Sequence, residues 1–201
     1  MAEKPVLLVV DPQNDFCPGG ALAVPEGDQV VPVLNEYIRR FREAGLPIIA
    51  TRDWHPAQTR HFTSGGGVWP PHCIQDTPGA AFRSDLYLPP DTPIISKGTH
   101  PDEDAYSAFQ GKDKQGRDLT TLLRELGVTE IYIGGLATDY CVRSSTLDAL
   151  KQGFRTTVLE DAIRGVDLQP EDSQRALEEM DRAGARRIRL AEAREALAAT
   201  R

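Results

Sequence analysis

Short, nearly continuous apolar runs alternate along the chain with segments whose apolar residues recur every three or four positions. Runs of valine, isoleucine and leucine suit strands that are buried on both faces of a sheet. Such strands pair in parallel when helical segments separate them in the sequence. The sequence predicts six of them, at residues 6–10, 47–50, 92–95, 130–133, 156–159 and 187–190.

Four amphipathic helices are predicted, in four of the five segments that separate these strands. A glycine follows each apolar face, at a place where a residue of positive φ commonly ends a helix. Alternating strands and helices predict a three-layer α/β/α fold, Rossmann-like, with a central six-stranded, mostly parallel sheet. The predicted faces lie within residues 30–41, 119–126, 142–150 and 176–183.

Composition and charge narrow the range of partners. The 201 residues carry a formal net charge of -7, which argues against nucleic acid or an anionic membrane, since both attract clustered lysine and arginine. The first apolar run is too short for a signal peptide, and three widely separated cysteines do not indicate a secreted disulfide framework. We therefore expect a cytoplasmic protein that acts on a small molecule, and a homo-oligomer stays open.

An acid, a cation and a thiol follow three of the predicted strands. Asp11 follows the first, Lys97 the third and Cys141 the fourth. The carboxyl ends of parallel strands share one edge of the sheet, where ligands of such folds bind, so we expect these side chains to converge. Together they suit covalent catalysis by cysteine. Taken singly, they could be a small buried apolar residue, a turn aspartate and a solvated lysine.

The segment after the fourth strand indicates why a thiol stands there. We predict that Gly134 and Gly135 form a tight turn and that a helix begins at residues 138–139, which places Cys141 in its first turn. The helix dipole and free backbone N–H groups favour a thiolate at such a position, so we expect a lowered pKa for Cys141. Backbone N–H groups between Ala137 and Cys141 would form an oxyanion hole.

The long loop between the second and third predicted strands holds three of the four histidines of the chain. Carboxylate and imidazole ligands suit Zn, Fe(II) or Mn(II), and side chains two positions apart on an extended segment share a side. Packing or loop hydrogen bonds are the alternative interpretation, above all for the second histidine, which requires the loop to fold back. Cys73 would point away from its neighbour and is excluded. The candidate ligands are Asp53, His55, His61 and His72.

Three aromatic residues also lie in loops near the predicted strand ends. Their rings could form the walls around a flat aromatic substrate by stacking, or they could cover the apolar core. The sequence alone leaves both interpretations open. These residues are Phe16, Trp69 and Tyr106.

Several stretches form a highly specific pattern when they are taken together. They are VDPQNDFCPGGAL, DWHP with the later WPPHC, SKG, DAYSAF and GGLATDYCV. Through them the chain, from about residue 6 to 190, resembles the cysteine hydrolases of the isochorismatase-like superfamily, and within it the nicotinamidase and pyrazinamidase branch. The resemblance implies one hydrolase domain over residues 1–201.

The resemblance implies a role for each residue of the strand-end group. Cys141 would attack a carboxamide carbon, Asp11 would carry the proton to the leaving ammonia, and Lys97 would hold charge near both. The N–H groups of Ala137 and Cys141 would bind the oxyanion, and the peptide bond before Ala137 would be cis. The implied reaction converts nicotinamide to nicotinate and ammonia through a thioester, for NAD salvage, with pyrazinamide as a further substrate.

The resemblance also implies one divalent metal ion, with zinc as the first expectation and iron or manganese as alternatives. Asp53, His55 and His72 would bind it, and His61 matches a further histidine that some members use. The metal, or water on it, would orient the pyridine nitrogen of the substrate. The residues expected around the ring are Phe16, Trp69, Tyr106 and Ala137.

Two other functions stay open at this level. One is another amidase of the superfamily, acting on a carbamoyl or ureido compound, whose members resemble this chain less in the histidine loop. The other is a binding module for a metal or nucleotide, which has no need for an acid, a lysine and a cysteine together. Neither GxGxxG nor a P-loop motif is present.

Overall fold

One parallel sheet forms the centre of the molecule in the computed structural model, which describes residues 4–193. Its spatial order is β3-β2-β1-β4-β5-β6, and all five pairings are parallel. The predicted three-layer fold is confirmed, with a sheet that is parallel throughout. The strands are β1 (Pro5–Val10), β2 (Ile48–Asp53), β3 (Ile94–Lys97), β4 (Glu130–Leu136), β5 (Arg155–Arg164) and β6 (Arg186–Ile188).

Helices cover both faces of this sheet. The central strand β1 shows why, because Leu7 and Val9 join the apolar cluster around α1, whereas Leu8 and Val10 join the cluster on the opposite face. Each fully buried side chain of this kind contributes about 1.5–3 kcal/mol through removal of its apolar surface from water. The helix α1 packs on one face and α2, α3 and α4 on the other. The helices are α1 (Val30–Glu43), α2 (Leu119–Glu125), α3 (Arg143–Lys151) and α4 (Asp172–Arg182).

Helix boundaries follow from residues that the sequence makes visible. The side chain of Asp118 caps α2 by accepting a hydrogen bond from the backbone N–H of Thr121 at 2.7 Å, a contact worth about 1 kcal/mol. After α1 and α2 the chain turns at Gly45 and Gly127, both with a φ of 68°. These glycines take the left-handed conformation at low cost, so the helices end where the pattern predicts.

The segment after the fourth predicted strand differs from the prediction. Gly134 and Gly135 do not form a tight turn but lie within β4, which runs on to Leu136. A Cβ atom on Gly135 would lie 2.0 Å from the carbonyl oxygen of Val10, so glycine is required where β4 passes β1. The chain then forms one turn of π-helix, Thr138–Val142, before α3 begins. The sixth strand also ends earlier than predicted, before residue 189.

The strand order reverses between β1 and β4. The chain moves outward from β1 to β3 and returns to the other side of β1 with β4. In open parallel sheets a ligand crevice forms outside the carboxyl ends of the strands at this point.

Among residues 4–193, no helix is both long and apolar enough to span a bilayer.

Candidate active site

A fully buried lysine connects residues from four strand ends. Lys97 Nζ lies 2.8 Å from Asp11 Oδ2 and 3.4 Å from Cys141 Sγ, and it also donates a hydrogen bond to Asp53 Oδ1. All four residues are buried. The structure therefore brings together the acid, cation and thiol that the sequence predicts, and a solvated Lys97 is ruled out. Its contact with Asp53 was not predicted.

The charges of this cluster depend on each other. Burial raises the pKa of Asp11 above its ordinary value, with a further increase from Asp53, although Lys97 opposes both. Burial acts in the same direction on Asp53, but Lys97 and the nearby imidazoles of His55 and His72 hold its pKa well below the ordinary range. Burial disfavours a charged Lys97, yet the two carboxylates raise its pKa well above normal. Lys97 is thus a cation, and Asp11 is the carboxylate that binds a proton more strongly.

The expected low pKa of Cys141 is wrong. Burial raises the pKa of this thiol well above its ordinary value, and although Lys97 opposes the increase, Asp11 and Asp53 add to it. The side chain is only 6% exposed, so helix N–H groups do not compensate for lost water and two nearby carboxylates. The resting residue is a thiol, and its sulfur lies within 4.8 Å of a carboxylate oxygen of Asp11. It requires a base to become a nucleophile.

Strand register positions that base. Val10 pairs with Thr51 across β1 and β2, which places the Thr51 side chain beside Asp11. The Thr51 hydroxyl donates a hydrogen bond to Asp11 Oδ1 at 2.6 Å. Asp11 itself has a φ of 50°, a left-handed conformation that aspartate tolerates better than most residues. Thr51 was not predicted as a site residue.

A second residue that the sequence did not reveal, Gln13, fixes the backbone of Asp53. Its buried side-chain amide accepts a hydrogen bond from Asp53 N at 2.8 Å and donates to Asp53 O at 2.7 Å. The same amide donates to Ala80 O at 2.9 Å. Gln13 lies in the stretch VDPQNDF, two residues after Asp11, and this position was the only available signal.

The turn that carries the thiol follows a cis peptide bond between Leu136 and Ala137, as the resemblance implies. Ala137 O accepts backbone hydrogen bonds from Tyr140 and Val142, both at 3.1 Å, which close the π-helical turn around Cys141. Ala137 and Cys141 both line the cavity described below. Their N–H groups as an oxyanion hole stay a prediction.

The four predicted metal ligands come together next to this cluster. Each of His55, His61 and His72 offers one ring nitrogen, and these three nitrogens lie within 4.8 Å of one another. Asp53 Oδ2 lies 3.6 Å from His55 Nε2 and 3.8 Å from His72 Nε2. Neither ring nitrogen of His55, which is completely buried, has a hydrogen-bond partner among the described residues. A buried unpaired imidazole is costly without a ligand, so these residues fit a divalent metal ion.

The other two histidines are oriented by contacts at Nδ1. His72 Nδ1 donates to Pro70 O at 2.8 Å, and His61 Nδ1 contacts a carboxylate oxygen of Asp104. Burial and the neighbouring His55 lower the pKa of His61, although Asp104 opposes this effect. A neutral imidazole with Nδ1 engaged leaves Nε2 as the metal-binding atom. Asp104 is a further residue that sequence reasoning missed.

The glycine-rich stretch FTSGGGV explains how the loop returns to the site. Gly67 N donates to Phe62 O, and Thr63 N donates to Trp69 O, both at 2.8 Å. A Cβ atom on Gly67 would lie 2.2 Å from the carbonyl oxygen of His61. Only glycine permits this close approach, which folds the loop back and places His61 and Trp69 on the same cavity.

A small cavity with a volume of about 30 Å³ lies between the two groups. This volume is well below the usual range of ligand sites, about 300–1,000 Å³, so a bound ring requires the side chains of the wall to move apart. Trp69 Nε1 donates to the Tyr106 hydroxyl at 2.9 Å, and the Tyr140 ring meets Trp69 edge-on at 4.9 Å. Leu22, Tyr140 and Val166 were not predicted. The expected lining residues Phe16, Trp69, Tyr106 and Ala137 all lie there, beside Asp53, His61, His72 and Cys141.

Cys73, which the sequence excludes from the site, lies outside it, and so does His100, the fourth histidine of the chain. Cys73 is buried in the apolar cluster around α1, and its backbone N–H donates to Asp15 Oδ2 at 2.7 Å. His100 is largely exposed on a loop. Neither belongs to the group of potential metal ligands within the described residues.

Comparison with known proteins gives a consistent result. The isochorismatase domain family matches residues 5–192. Nicotinamidase from Escherichia coli (strain K12) is 43% identical over 202 residues, which cover 92% of this chain and 95% of the relative. Among solved structures, pyrazinamidase of Pyrococcus horikoshii in complex with zinc has a TM-score of 0.86 at 52% identity, covering 93% of this chain and 99% of that chain. A protein from L. infantum in complex with nicotinate has a TM-score of 0.84 at 32% identity, covering 95% of each chain.

Proposed function

This chain belongs to the isochorismatase family, and we propose that it hydrolyses nicotinamide to nicotinate and ammonia through a thioester on Cys141. The observation that carries the proposal is the position of Lys97 Nζ, which lies 2.8 Å from Asp11 Oδ2 and 3.4 Å from Cys141 Sγ, beside a small cavity lined by aromatic side chains. The similarity to nicotinamidase and pyrazinamidase sequences supports this substrate class, and pyrazinamide is the second substrate that we expect.

In the first half of the proposed reaction, Asp11 takes the proton of the Cys141 thiol while the sulfur attacks the carboxamide carbon. The carbonyl π electrons move to oxygen, which the backbone N–H groups of Ala137 and Cys141 stabilise. When the carbon–nitrogen bond breaks, Asp11 passes its proton to the nitrogen and ammonia leaves. Lys97 keeps a positive charge beside the carboxylate and the sulfur throughout.

In the second half, Asp11 takes a proton from water, and the water oxygen attacks the thioester carbon. The carbon–sulfur bond breaks, Cys141 recovers its proton from Asp11, and the product leaves as nicotinic acid, which loses its remaining proton to solvent to become nicotinate. The raised pKa of Cys141 makes it a thiol between turnovers, so the same carboxylate serves as base and as acid in each half.

The histidine group would hold a divalent metal ion, for which we propose zinc because a similar pyrazinamidase has been solved in complex with zinc. The metal would supply a Lewis acid for the pyridine nitrogen of the substrate. Phe16 and Trp69 would flank the ring, and Tyr106 would complete the wall. The protein ligands would be Asp53, His55, His61 and His72.

We further propose that residues 1–201 form one hydrolase domain that acts in the cytoplasm on free small molecules. The family match over residues 5–192 supports the first part. All three cysteines are free, which suits a reducing compartment, and the net charge of -7 disfavours nucleic acid as a partner.

The test is ammonia release from nicotinamide by the purified protein, by Cys141→Ala and by Cys17→Ala, with and without a chelator. We expect release by the wild type and by the Cys17 variant, which changes a buried thiol outside the cavity. Cys141→Ala should lower kcat by at least about a thousandfold. Chelation should lower activity and zinc should restore it. A folded, zinc-loaded wild type that releases no ammonia would overturn the proposal.

A further inference from the structure

The three histidines of the proposed metal group differ in the hydrogen-bond partners of their ring nitrogens. His72 is held by a backbone carbonyl, that of Pro70, at 2.8 Å. His55 has no hydrogen-bond partner at either ring nitrogen among residues 4–193. His61 is held by a side chain, the carboxylate of Asp104, which lies 43 positions further along the chain.

The contact with Asp104 determines which nitrogen of His61 carries the proton. An ionised carboxylate only accepts hydrogen bonds, so Nδ1 must be the protonated nitrogen of the neutral ring. Nε2 then keeps its lone pair, which is the state that binds a metal ion. The His61 side chain is 3% exposed and stacks on His55 with ring centroids 4.5 Å apart, so its plane is fixed as well.

Asp104 also belongs to a segment that holds both ends of the glycine-rich loop. Two residues further on, the Tyr106 hydroxyl accepts a hydrogen bond from Trp69 Nε1 at 2.9 Å. His61 stands at the beginning of the loop and Trp69 at its end, where the chain closes through the bridge between Phe62 and Trp69. Residues 104–106 therefore fix a metal ligand and a cavity wall at the same time.

We propose that Asp104 is a positioning residue that fixes the Nδ1–H tautomer of His61 and presents Nε2 to the metal ion. This inference rests on the proposed metal-dependent amidase for its role in the reaction, but it concerns metal binding in its own right. Asp104 touches neither the cavity nor the cysteine, and it acts only through His61. Because its side chain is 53% exposed, the expected effect is moderate.

The test compares the full chain carrying Asp104→Ala, Asp104→Asn or Asp102→Ala with the wild type. Asp102 lies on the same loop and is 76% exposed, and its ion pair is with His100, which is outside the site. Zinc affinity is measured by competition with a chromophoric chelator, and the tautomer of His61 by ¹⁵N NMR of the metal-free protein with labelled histidine. Ammonia release is recorded at saturating zinc.

We expect Asp104→Ala to weaken zinc binding about tenfold, as the loss of a hydrogen-bond partner of a ligand usually does. Its His61 spectrum should shift toward the Nε2–H tautomer. Asp104→Asn keeps an oxygen acceptor and should restore the wild-type tautomer and most of the affinity, and Asp102→Ala should match the wild type. The inference would be overturned if Asp104→Ala bound zinc as tightly as the wild type does, or if His61 of the wild type were the Nε2–H tautomer.

Failure of this inference and failure of the proposed function give different results. If the inference alone is wrong, the wild type releases ammonia but zinc affinity does not depend on Asp104. If the proposed function alone is wrong, zinc affinity and the His61 tautomer depend on Asp104 while the zinc-loaded wild type releases no ammonia. The wild-type NMR spectrum requires no variant, so a variant that does not fold leaves the inference testable.

Discussion

The sheet holds Asp11, Lys97 and Cys141, whereas a loop folded on itself holds His55, His61 and His72. The first group, the strand-end group, lies directly after β1, at the end of β3 and in the turn that follows β4, so parallel pairing sets where these segments begin. The second, the histidine loop, depends on contacts with distant side chains such as that between Asp104 and His61. One half of the site is therefore positioned by the fold, and the other by individual side chains.

The two groups also differ in how their polar atoms are satisfied. Lys97 pairs with the carboxylates of Asp11 and Asp53, so the cation of the strand-end group has its counter-charges within the protein. In the histidine loop, the two ring nitrogens of His55 lack a hydrogen-bond partner within residues 4–193. A cluster of paired charges suits repeated proton transfer, and unpaired ring nitrogens suit ion binding. The comparison predicts that chemistry and metal binding can be lost separately.

The largest expected effect separates the two groups through Asp11→Asn. Asparagine keeps the size of the side chain and an oxygen for the Thr51 hydroxyl, but it cannot take the thiol proton. We expect kcat/KM for nicotinamide to fall about a thousandfold, within the usual range for loss of a general base. Zinc affinity should stay unchanged, and Asp28→Asn, an exposed control, should behave as the wild type. An equal loss of zinc binding would show that the groups are one unit.

Much of the strand-end group could be predicted from sequence because strand ends in a parallel sheet share an edge. An apolar run followed by Asp11, Lys97 or Cys141 is visible without any structure. The state of the thiol was not predictable in this way. It depends on burial and on the distance to two carboxylates, which tertiary packing sets, and packing reversed the expected effect of the helix N-terminus.

The histidine loop could be predicted only as a list of ligand types. Its residues suit a metal, but no periodicity indicates that the loop folds back far enough for His61 to join the others. The glycines that permit this were visible, yet their close contacts with distant carbonyl groups appear only in the structure. Gln13 and Asp104 carry no local pattern, since each acts across a long sequence separation, Gln13 on Asp53 at the end of β2 and Asp104 on His61 in the loop.

The second prediction sets a glycine of the sheet against a glycine of the loop. Gly135→Ala places a Cβ atom 2.0 Å from Val10 O between central strands, so we expect a loss of about 3 kcal/mol or more in the free energy of unfolding. Gly67→Ala meets His61 O at 2.2 Å on a loop that can shift, so about 1 kcal/mol is expected together with weaker zinc binding. Urea unfolding and zinc competition measure both. Equal destabilisation would mean that the loop is as fixed as the sheet.

The third prediction concerns the acid limb of the pH profile. Because burial raises the pKa of Asp11, this carboxylate becomes protonated at pH values above the ordinary range of aspartate. A protonated Asp11 cannot accept the thiol proton, so kcat/KM is present above that pKa and falls about tenfold per pH unit below it. Metal content must be measured at each pH, since protonated histidines release the ion. A rate that falls only where metal is lost would assign the limb to the histidine loop instead.

The smallest expected effect concerns the hydrogen bond by which Tyr106 holds Trp69 at the end of the histidine loop. Tyr106→Phe removes the hydroxyl that accepts the Trp69 N–H at 2.9 Å and costs about 1 kcal/mol, which corresponds to about a fivefold change. Since the proposed role of this wall is to bind the ring, away from Asp11 and the thiol proton, KM for nicotinamide should rise and kcat should stay nearly constant. Tyr87→Phe, on a residue that is 69% exposed, is the control. If kcat fell while KM stayed constant, the wall would act on the strand-end group, and the separation between a half for chemistry and a half for binding would no longer hold.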